Sequence, residues 1–543
     1  MNKLNNARRS GFGLLIVVLL ASHFLISGLL PLSDPSEGRY SDIAKTMVDT
    51  SNYTTPMLWL RGQHIPYMGK PPLGFWAMAA AIELFGDNAF ATRLPSGVAG
   101  LLLLLLMFWI LKRYLGREQA LSSVLITASS LAYFVFSGAA LVDMVLTLFA
   151  SGALFAYFAF LREKTEPGKQ RFSLLVFVLL ALGFLVKGPV VLVYFGLPAF
   201  LWTLINKQWA GLRQHPWFAG ISIFLLVSAP WFVLAEQATP GFLRYFFVNE
   251  NFLRFVSHQY GDLYGAGRTL PYGSALVLIV LSTVPWSALL CYKWLSYKGG
   301  QVTDIRSSSH QSRHLVKRFM QYLGGASRAK NGTGLFFLGL LSLTLFWSLA
   351  RQLLVYYLLP LIPLFAVWCA GELQRLQLSI SSIAKTAVLS ILVFSILIFA
   401  SGQVLVHKRS TQAVIAYAKT LLQPSSTQRL YFVRKTPNTA YFYGNGLILS
   451  HADESPVAGV NKALRWHNPP ILIALKKYYK QIPASLLEKF RLRQRIGEWR
   501  IFTRNGPPEN NKPTVEKLSF TYTPAIVAKR PTAVPIQPHR TSS

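Results

Sequence analysis

Asp34, Glu37, Arg39, Asp42 and Lys45 fall within twelve consecutive positions, in the stretch "PLSDPSEGRYSDIAKTM" that follows an apolar run. The chain holds 21 Asp and Glu against 54 Lys and Arg, so carboxylates are scarce and this crowding is notable. Four other charges interrupt apolar sequence: Lys70 in "YMGKPPLGFW", Asp143 in "AALVDMVLTLF", Lys187 in "FLVKGPVV" and Arg351 in "SLARQLLVYYLLP". Ionisable groups at or inside apolar segments are costly and are functional candidates. Asp34, Glu37 and Asp143 suit a general base or an orienter of hydroxyl groups. Arg39, Lys70, Lys187 and Arg351 suit a phosphate, which binds cations through charge-assisted hydrogen bonds. The structural alternative is that interfacial Lys and Arg snorkel to headgroups, with Glu37 and Arg39 a loop ion pair worth little. Asp143 resists that reading, because no basic residue lies within ten positions of it.

The elements that must position these groups are apolar. The chain has 543 residues, 52% hydrophobic, with a mean hydropathy of +0.37. Roughly 20 apolar residues span a bilayer as a helix. Such runs predict a mainly α, polytopic helical membrane protein of about 11 or more spans. The first run, about 11–31, reads as a retained anchor rather than a signal peptide, because no small-residue cleavage site follows it. Further spans are expected near 95–113, 119–137, 141–161, a pair within 172–205, then 217–235, 273–291, 334–350, 353–370 and 386–406. Lys and Arg mark cytoplasmic loops. Lys3, Arg8 and Arg9 therefore place the N-terminus inside, and residues 292–330, with eight Lys or Arg against one Asp, also lie inside. Loops 32–94 and 236–272 then lie outside, and an odd span count puts the C-terminus outside. "GKPPLGFWAMAAAIELFG", within the first outer loop, is expected to be a partly embedded amphipathic piece.

Residues 1–406 thus form a membrane domain. Residues 407–505 read as a small α/β domain, with strands at "RLYFV", "GLILS", "PILIALK" and "EWRIFTR" and helical connectors at "TPNTAYFYG" and "PASLLEKF". Residues 506–543 are rich in Pro, Thr and Lys and are expected to be disordered. The net charge of +33 reads through the positive-inside rule and calls for no nucleic acid. Cys291 and Cys369 offer no disulfide framework or CxxC site, and no GxGxxG, Walker A loop or HExxH occurs.

"DPSEGRYSDIAKTMVDTSNYTTPMLWLRGQHIPYMGKPPLGFW" resembles the first outer loop of bacterial polyprenyl-phosphate-sugar glycosyltransferases. That family includes the lipid A aminoarabinose transferases and, more distantly, the protein O-mannosyltransferases. "FGDNAFATRLPSGVAG", "LVDMVLTLF", "GFLVKGPVVL", "RYFFVNENFLRF" and "YYLLPLIPLFAVW" follow in the family's order, so the resemblance covers about 10–370. It implies a GT-C membrane fold, a polyprenyl-phosphate-linked sugar donor and catalysis on the periplasmic side. It also implies a catalytic role for Glu37, and with Asp34 nearby and Asp143 in the matching "LVDMVLTLF" the catalytic candidates are Glu37, Asp34 and Asp143. Arg39, Tyr40, Lys70, Lys187, Arg351 and Tyr357 are the implied substrate-binding residues.

Two departures from the pattern stand out. The family often has Asp-Glu before "xRY", where this chain has Ser36-Glu37, so only Glu37 carries over directly. It often has Phe-Glu-Lys-Pro where this chain has Met68-Gly69-Lys70-Pro71. The missing Glu is a metal ligand in the aminoarabinose branch, and that branch also places a His where "DLYGAGR" stands here. No metal and no cofactor are therefore expected, although His258 or His64 could substitute as a ligand.

The expected function is transfer of a sugar from a polyprenyl-phosphate donor to lipid A, another glycan or a protein, in the bacterial inner membrane. A flippase of lipid-linked sugar, or a non-catalytic membrane scaffold, would place similar charges. Against a flippase, the sequence shows none of the paired halves or matching broken helices common in transporters.

Overall fold

The computed structural model describes residues 27–505, apart from 61–62, 257–262, 265–268, 300–324, 326–331, 403–407, 423–426, 450–454 and 467. The expected first span, about 11–31, and the tail 506–543 therefore lie almost wholly outside the described residues.

The membrane part runs through α1 (Ser36–Thr50), the hairpin β1 (Met57–Leu60) and β2 (Gln63–Pro66), α2 (Leu73–Phe85) and α3 (Ala89–Leu115). It continues with α4 (Arg117–Ala128), α5 (Leu131–Ser137), α6 (Asp143–Arg162), α7 (Glu166–Lys187), α8 (Val190–Asn206) and α9 (Trp217–Ala238). After a second loop come α10 (Ser274–Ser282), α11 (Trp286–Gly299), α12 (Gly334–Ser348), α13 (Leu361–Arg375) and α14 (Ile380–Ser401). Among the described residues five helices, α3, α6, α7, α9 and α14, are long and apolar enough to cross a membrane. The number rises to seven if each of two bent pairs counts as one span, α4 with α5 (67°) and α10 with α11 (95°). The α2, α8 and α12 helices are apolar but shorter. The expected span at 353–370 instead starts as a 3₁₀ turn, Val355–Leu358, and becomes α-helical only after Pro360. Proline has no N–H to give and is tolerated there, at the helix start.

The two bends meet. The Leu131 N–H donates to the Val284 carbonyl at 3.0 Å, and the Trp286 indole donates to Ser129 Oγ at 3.0 Å. Each break supplies polar groups for the other, which is how non-helical backbone is tolerated among apolar helices.

At the centre stands α6, with 89% of its most apolar window buried, against 28% for α9 and 33% for α14. The outer two carry exposed Leu, Val and Phe as a lipid-facing helix would. Small residues bring the inner helices together. A Cβ on Gly183 would stand 2.6 Å from Val191, and one on Gly220 would stand 2.2 Å from the Phe177 ring.

The last part of the chain holds α15 (Gln412–Thr420), β3 (Leu430–Phe432), α16 (Asn438–Gly444), β4 (Ile448–Leu449), α17 (Pro456–Arg465), β5 (Ile471–Leu475), β6 (Phe490–Ile496) and β7 (Trp499–Arg504). The sheet order is β4-β3-β5-β7-β6, with β3 parallel to both neighbours and β7 antiparallel to both of its own. Two apolar clusters cover its faces. The four expected strands are present. The fifth, β6, carries "RLRQR" and lies at the edge of the sheet with Arg491 to Arg495 exposed. An edge strand is protected by charge rather than by alternating burial, so apolar periodicity does not reveal it.

Candidate active site

The first loop turns at Pro35 into α1, which places Glu37 in the helix's first turn. Arg93, near the start of α3, reaches across to it. The Arg93 Nε and Nη2 donate to the two Glu37 oxygens at 2.9 Å each. The remaining Arg93 donors go to the carbonyls of Ser27, Leu30 (2.6 Å) and Pro31 (3.1 Å). Glu37 also accepts from the Ala140 N–H at 2.9 Å and from the Ser33 N–H and Oγ at 3.0 and 2.9 Å. Five hydrogen bonds exceed the roughly four acceptor sites of a carboxylate. Burial raises the Glu37 pKa, but the Arg93 charge and these donors outweigh it and hold the carboxyl below its ordinary value. In this arrangement Glu37 has no lone pair left for a substrate proton.

Asp34 is committed elsewhere. It accepts from the Thr439 N–H at 3.1 Å and from the Thr439 hydroxyl. Burial dominates there and pushes its carboxyl up, with the Thr439 bonds opposing. The Asn438 amide donates to the Pro35 carbonyl at 3.1 Å, and the Leu32 N–H donates to the Tyr443 hydroxyl at 2.7 Å. A Cβ on Gly38 would stand 2.7 Å from the Thr439 nitrogen. Asp34 therefore joins the first loop to α16. Lys45 in turn is paired with Asp87 and, at 3.4 Å, with Asp49. Asp34 and Glu37, expected at a reacting centre, are both held by groups of the fold itself.

Asp143 opens α6 at 1% exposure, where the helix's N-terminal dipole favours negative charge. Its carboxylate is paired with Lys187, at the last turn of α7. The Lys187 ammonium also lies 3.9 Å from the Tyr357 ring centre and 5.9 Å from that of Tyr356. Lys70 and Arg254 are close enough to Lys187 to repel it. The Lys70 Nζ donates to Glu250 Oε1 and to its neighbour's carbonyl, Gly69, both at 2.6 Å. Arg254 pairs with the same Glu250 oxygen, and its Nε donates to Gln352 at 3.0 Å. Tyr40 is buried with its ring against Phe75, and Tyr67, Tyr356, Asp143 and Arg39 all act on its hydroxyl electrostatically. The Arg39 Nη2 donates to the Tyr264 carbonyl at 3.1 Å, tying α1 to the second loop. Arg351 rests on the Tyr272 ring, 3.4 Å from its centre, and adjoins Gln352. Thus Asp143, Lys187, Lys70, Tyr40 and Tyr357 converge, and Arg351 stands at the margin.

Three residues of this site were absent from the sequence expectations: Arg93, Glu250 and Arg254. The rule that exposes Asp143 applies equally to Arg93, a cation at the head of an apolar helix. Glu250 and Arg254 form an i,i+4 pair of opposite charge inside "VNENFLRF", a spacing that marks neighbours on a helical surface.

Glu37→Gln is expected to destabilise the protein by about 3–5 kcal/mol, because it leaves a buried guanidinium without its counter-charge. Thermal melting in detergent measures this. A variant that melts with the parent would show that Glu37 is not the support described here.

Residues 69–233 match the family described as Dolichyl-phosphate-mannose-protein mannosyltransferase. The chain is 27% identical over 365 residues to the undecaprenyl phosphate-alpha-4-amino-4-deoxy-L-arabinose arabinosyl transferase of Edwardsiella ictaluri, covering 66% of this chain and 59% of that protein. It is 29% identical over 391 residues to the enzyme of the same name from Pseudomonas aeruginosa (strain UCBPP-PA14), covering 68% and 61%. The matched region is thus less than two thirds of the length of those relatives. Among solved structures, ArnT from Cupriavidus metallidurans bound to undecaprenyl phosphate superposes with a TM-score of 0.71. That match has 18% identity and covers 90% of this chain and 97% of the other. At that identity the likeness establishes a shared fold. The expected resemblance to polyprenyl-phosphate-sugar glycosyltransferases is borne out by the family and relative matches.

Proposed function

We propose that the protein is an integral-membrane glycosyltransferase that moves a sugar, most simply a pentose, from undecaprenyl phosphate to an acceptor such as lipid A. The observation that carries this reading is the charged cluster of Asp143, Lys187, Lys70, Glu250 and Arg254 at one end of buried apolar helices. The relatives named for an undecaprenyl phosphate donor support the substrate class. The pentose follows from the arabinosyl group in their names.

The chemistry fits the charges. Transfer breaks the bond between the sugar's anomeric carbon and the phosphate oxygen and forms one to an acceptor oxygen. The donor phosphodiester carries one negative charge, and the leaving lipid phosphate gains another. Three cations against two carboxylates leave the cluster a formal charge of +1. Stabilising leaving-group charge is often the largest catalytic term. Lys70 and Arg254 are assigned to the phosphate, and Lys187, whose ammonium lies over the Tyr357 ring, holds Asp143 in place. Asp143 orients the acceptor, or takes its proton if the acceptor is a hydroxyl; a phosphate acceptor needs no base. Glu37 and Asp34 support the first loop. Loops 32–94 and 236–272 and the domain at 407–505 are assigned to the periplasmic face of the inner membrane, with the N-terminus cytoplasmic.

The described residues do not fit a metal. Gly69 stands where the branch has its ligand Glu, and the Tyr67 ring lies 2.8 Å from where a Cβ at 69 would be. Among the described residues no group of three or more His, Cys, Asp and Glu could hold an ion. His258 lies outside them, and the His64 ring is stacked on Trp59 at 4.8 Å. Transfer is therefore expected to persist in excess chelator; loss of activity that zinc or magnesium restores would contradict the assignment.

The decisive experiment supplies labelled undecaprenyl-phosphate sugar to the protein in vesicles. Label on an acceptor supports a transferase. Label that crosses the bilayer without chemistry would make it a flippase, and neither outcome a scaffold.

A further inference from the structure

Residues Tyr245–Leu253 form a π-helical segment of nine residues. π-Helical turns are rare and are frequently found at functional sites. This one carries Glu250, 6% exposed. Its two carboxylate oxygens are used unequally. Oε1 takes both Lys70 and Arg254. Oε2 is buried and has no hydrogen-bond partner among the described residues. Leaving a buried charged acceptor unmade is costly. A symmetric grip by Arg254 would remove that cost, but its Nε is held from the other side by Gln352.

We propose that Glu250 Oε2 receives a hydrogen-bond donor on the sugar of the lipid-phosphate substrate, a hydroxyl or an ammonium. This rests on the reading of the protein as a polyprenyl-phosphate-sugar transferase. The phosphate itself cannot fill the position, because an anion would be repelled by a carboxylate oxygen. It does belong beside it, on Lys70 and Arg254, the two cations that Glu250 already touches. The group on the substrate that is both next to the phosphate and rich in donors is the sugar. Glu250 thereby reads the sugar while its other oxygen sets the cations that read the phosphate, and recognition of the two halves of the donor is joined through one side chain.

The test compares two ligands on the full-length protein in lipid: bare undecaprenyl phosphate and undecaprenyl phosphate carrying its sugar. The readout is the ratio of their affinities, which cancels any general loss of folded protein. Glu250→Ala is expected to lower the sugar's advantage by about 10-fold or more, the value of a hydrogen bond to a charged group. Bare lipid phosphate is expected to bind as well or better, with a competing carboxylate gone. Glu250→Asp keeps the charge, withdraws the oxygens by one methylene and is expected to lower the ratio too, so the test survives if the alanine variant does not fold. Glu250→Gln separates the sources: with an ammonium on the sugar it behaves like alanine, and with a hydroxyl it keeps most of the advantage. An unchanged ratio in the alanine and aspartate variants overturns the proposal and leaves Glu250 a counter-ion or a water ligand. If the parent protein neither prefers the sugar-linked lipid nor transfers its label, the functional reading itself has failed.

Discussion

Asp143→Asn is expected to reduce sugar transfer at least about 100-fold, the scale set by losing a positioned base or orienter. Asp143 is the one carboxylate of the three named in the sequence that meets the cation cluster, and the substitution keeps its size while removing its charge and turning one acceptor oxygen into an NH2 donor. Lys187 is the confounding partner. Removing one member of a buried ion pair costs about 3–5 kcal/mol, so lost activity could reflect lost fold. The double variant Asp143→Asn/Lys187→Met separates these. It deletes the unpaired cation and is expected to recover most of the stability while remaining inactive. Insertion, melting temperature and transfer are measured on all three proteins. Near-normal transfer by the folded Asp143→Asn protein would remove Asp143 from the reacting centre.

Asp143, Lys187 and Lys70 were legible because each breaks an apolar run, and a charge in such a place has few structural excuses. Arg93 breaks the same kind of run, but the expected span began at 95, beside Pro95, which left Arg93 in the preceding loop. The helix in fact starts at Ala89 and carries Pro95 within it. Glu250 was hidden for another reason: π-helical geometry has no familiar apolar period. The first-loop acids were legible as a cluster, but their partners were not, since what occupies Asp34 is Thr439, about four hundred residues further on. No local pattern reports a contact of that separation. The C-terminal sheet was legible where strands are apolar and silent at β6, whose residues face water. The mainly helical, apolar character was legible, because hydropathy responds to composition, but the number of spans was not: about 11 were expected, and among the described residues five helices, or seven with the bent pairs, are long and apolar enough to cross a membrane. Nor were the bends at Ser129 and Val284, because they depend on two distant segments satisfying each other.

Lys70→Ala is expected to weaken donor binding by about 1.5–3 kcal/mol, the worth of a hydrogen bond to a charged group, or roughly 10- to 150-fold in affinity. Acceptor binding should change less. Lys70 is buried and already donates to a carboxylate, so its ammonium is desolvated before any substrate arrives, and a phosphate gains from it without paying that cost again. The fold should tolerate the change, because Glu250 keeps Arg254 as counter-ion. Arg351→Ala is expected to act in the same direction with a smaller effect. Its guanidinium carbon lies over the Tyr272 ring, 3.4 Å from the centre, so part of its charge is directed at that ring rather than into the cluster. Donor affinity and the acceptor's KM, measured separately for both variants, decide the matter. If donor affinity is unchanged and only the acceptor constant rises, the two cations serve the acceptor, and the phosphate must be held by Lys187 and Arg254 instead.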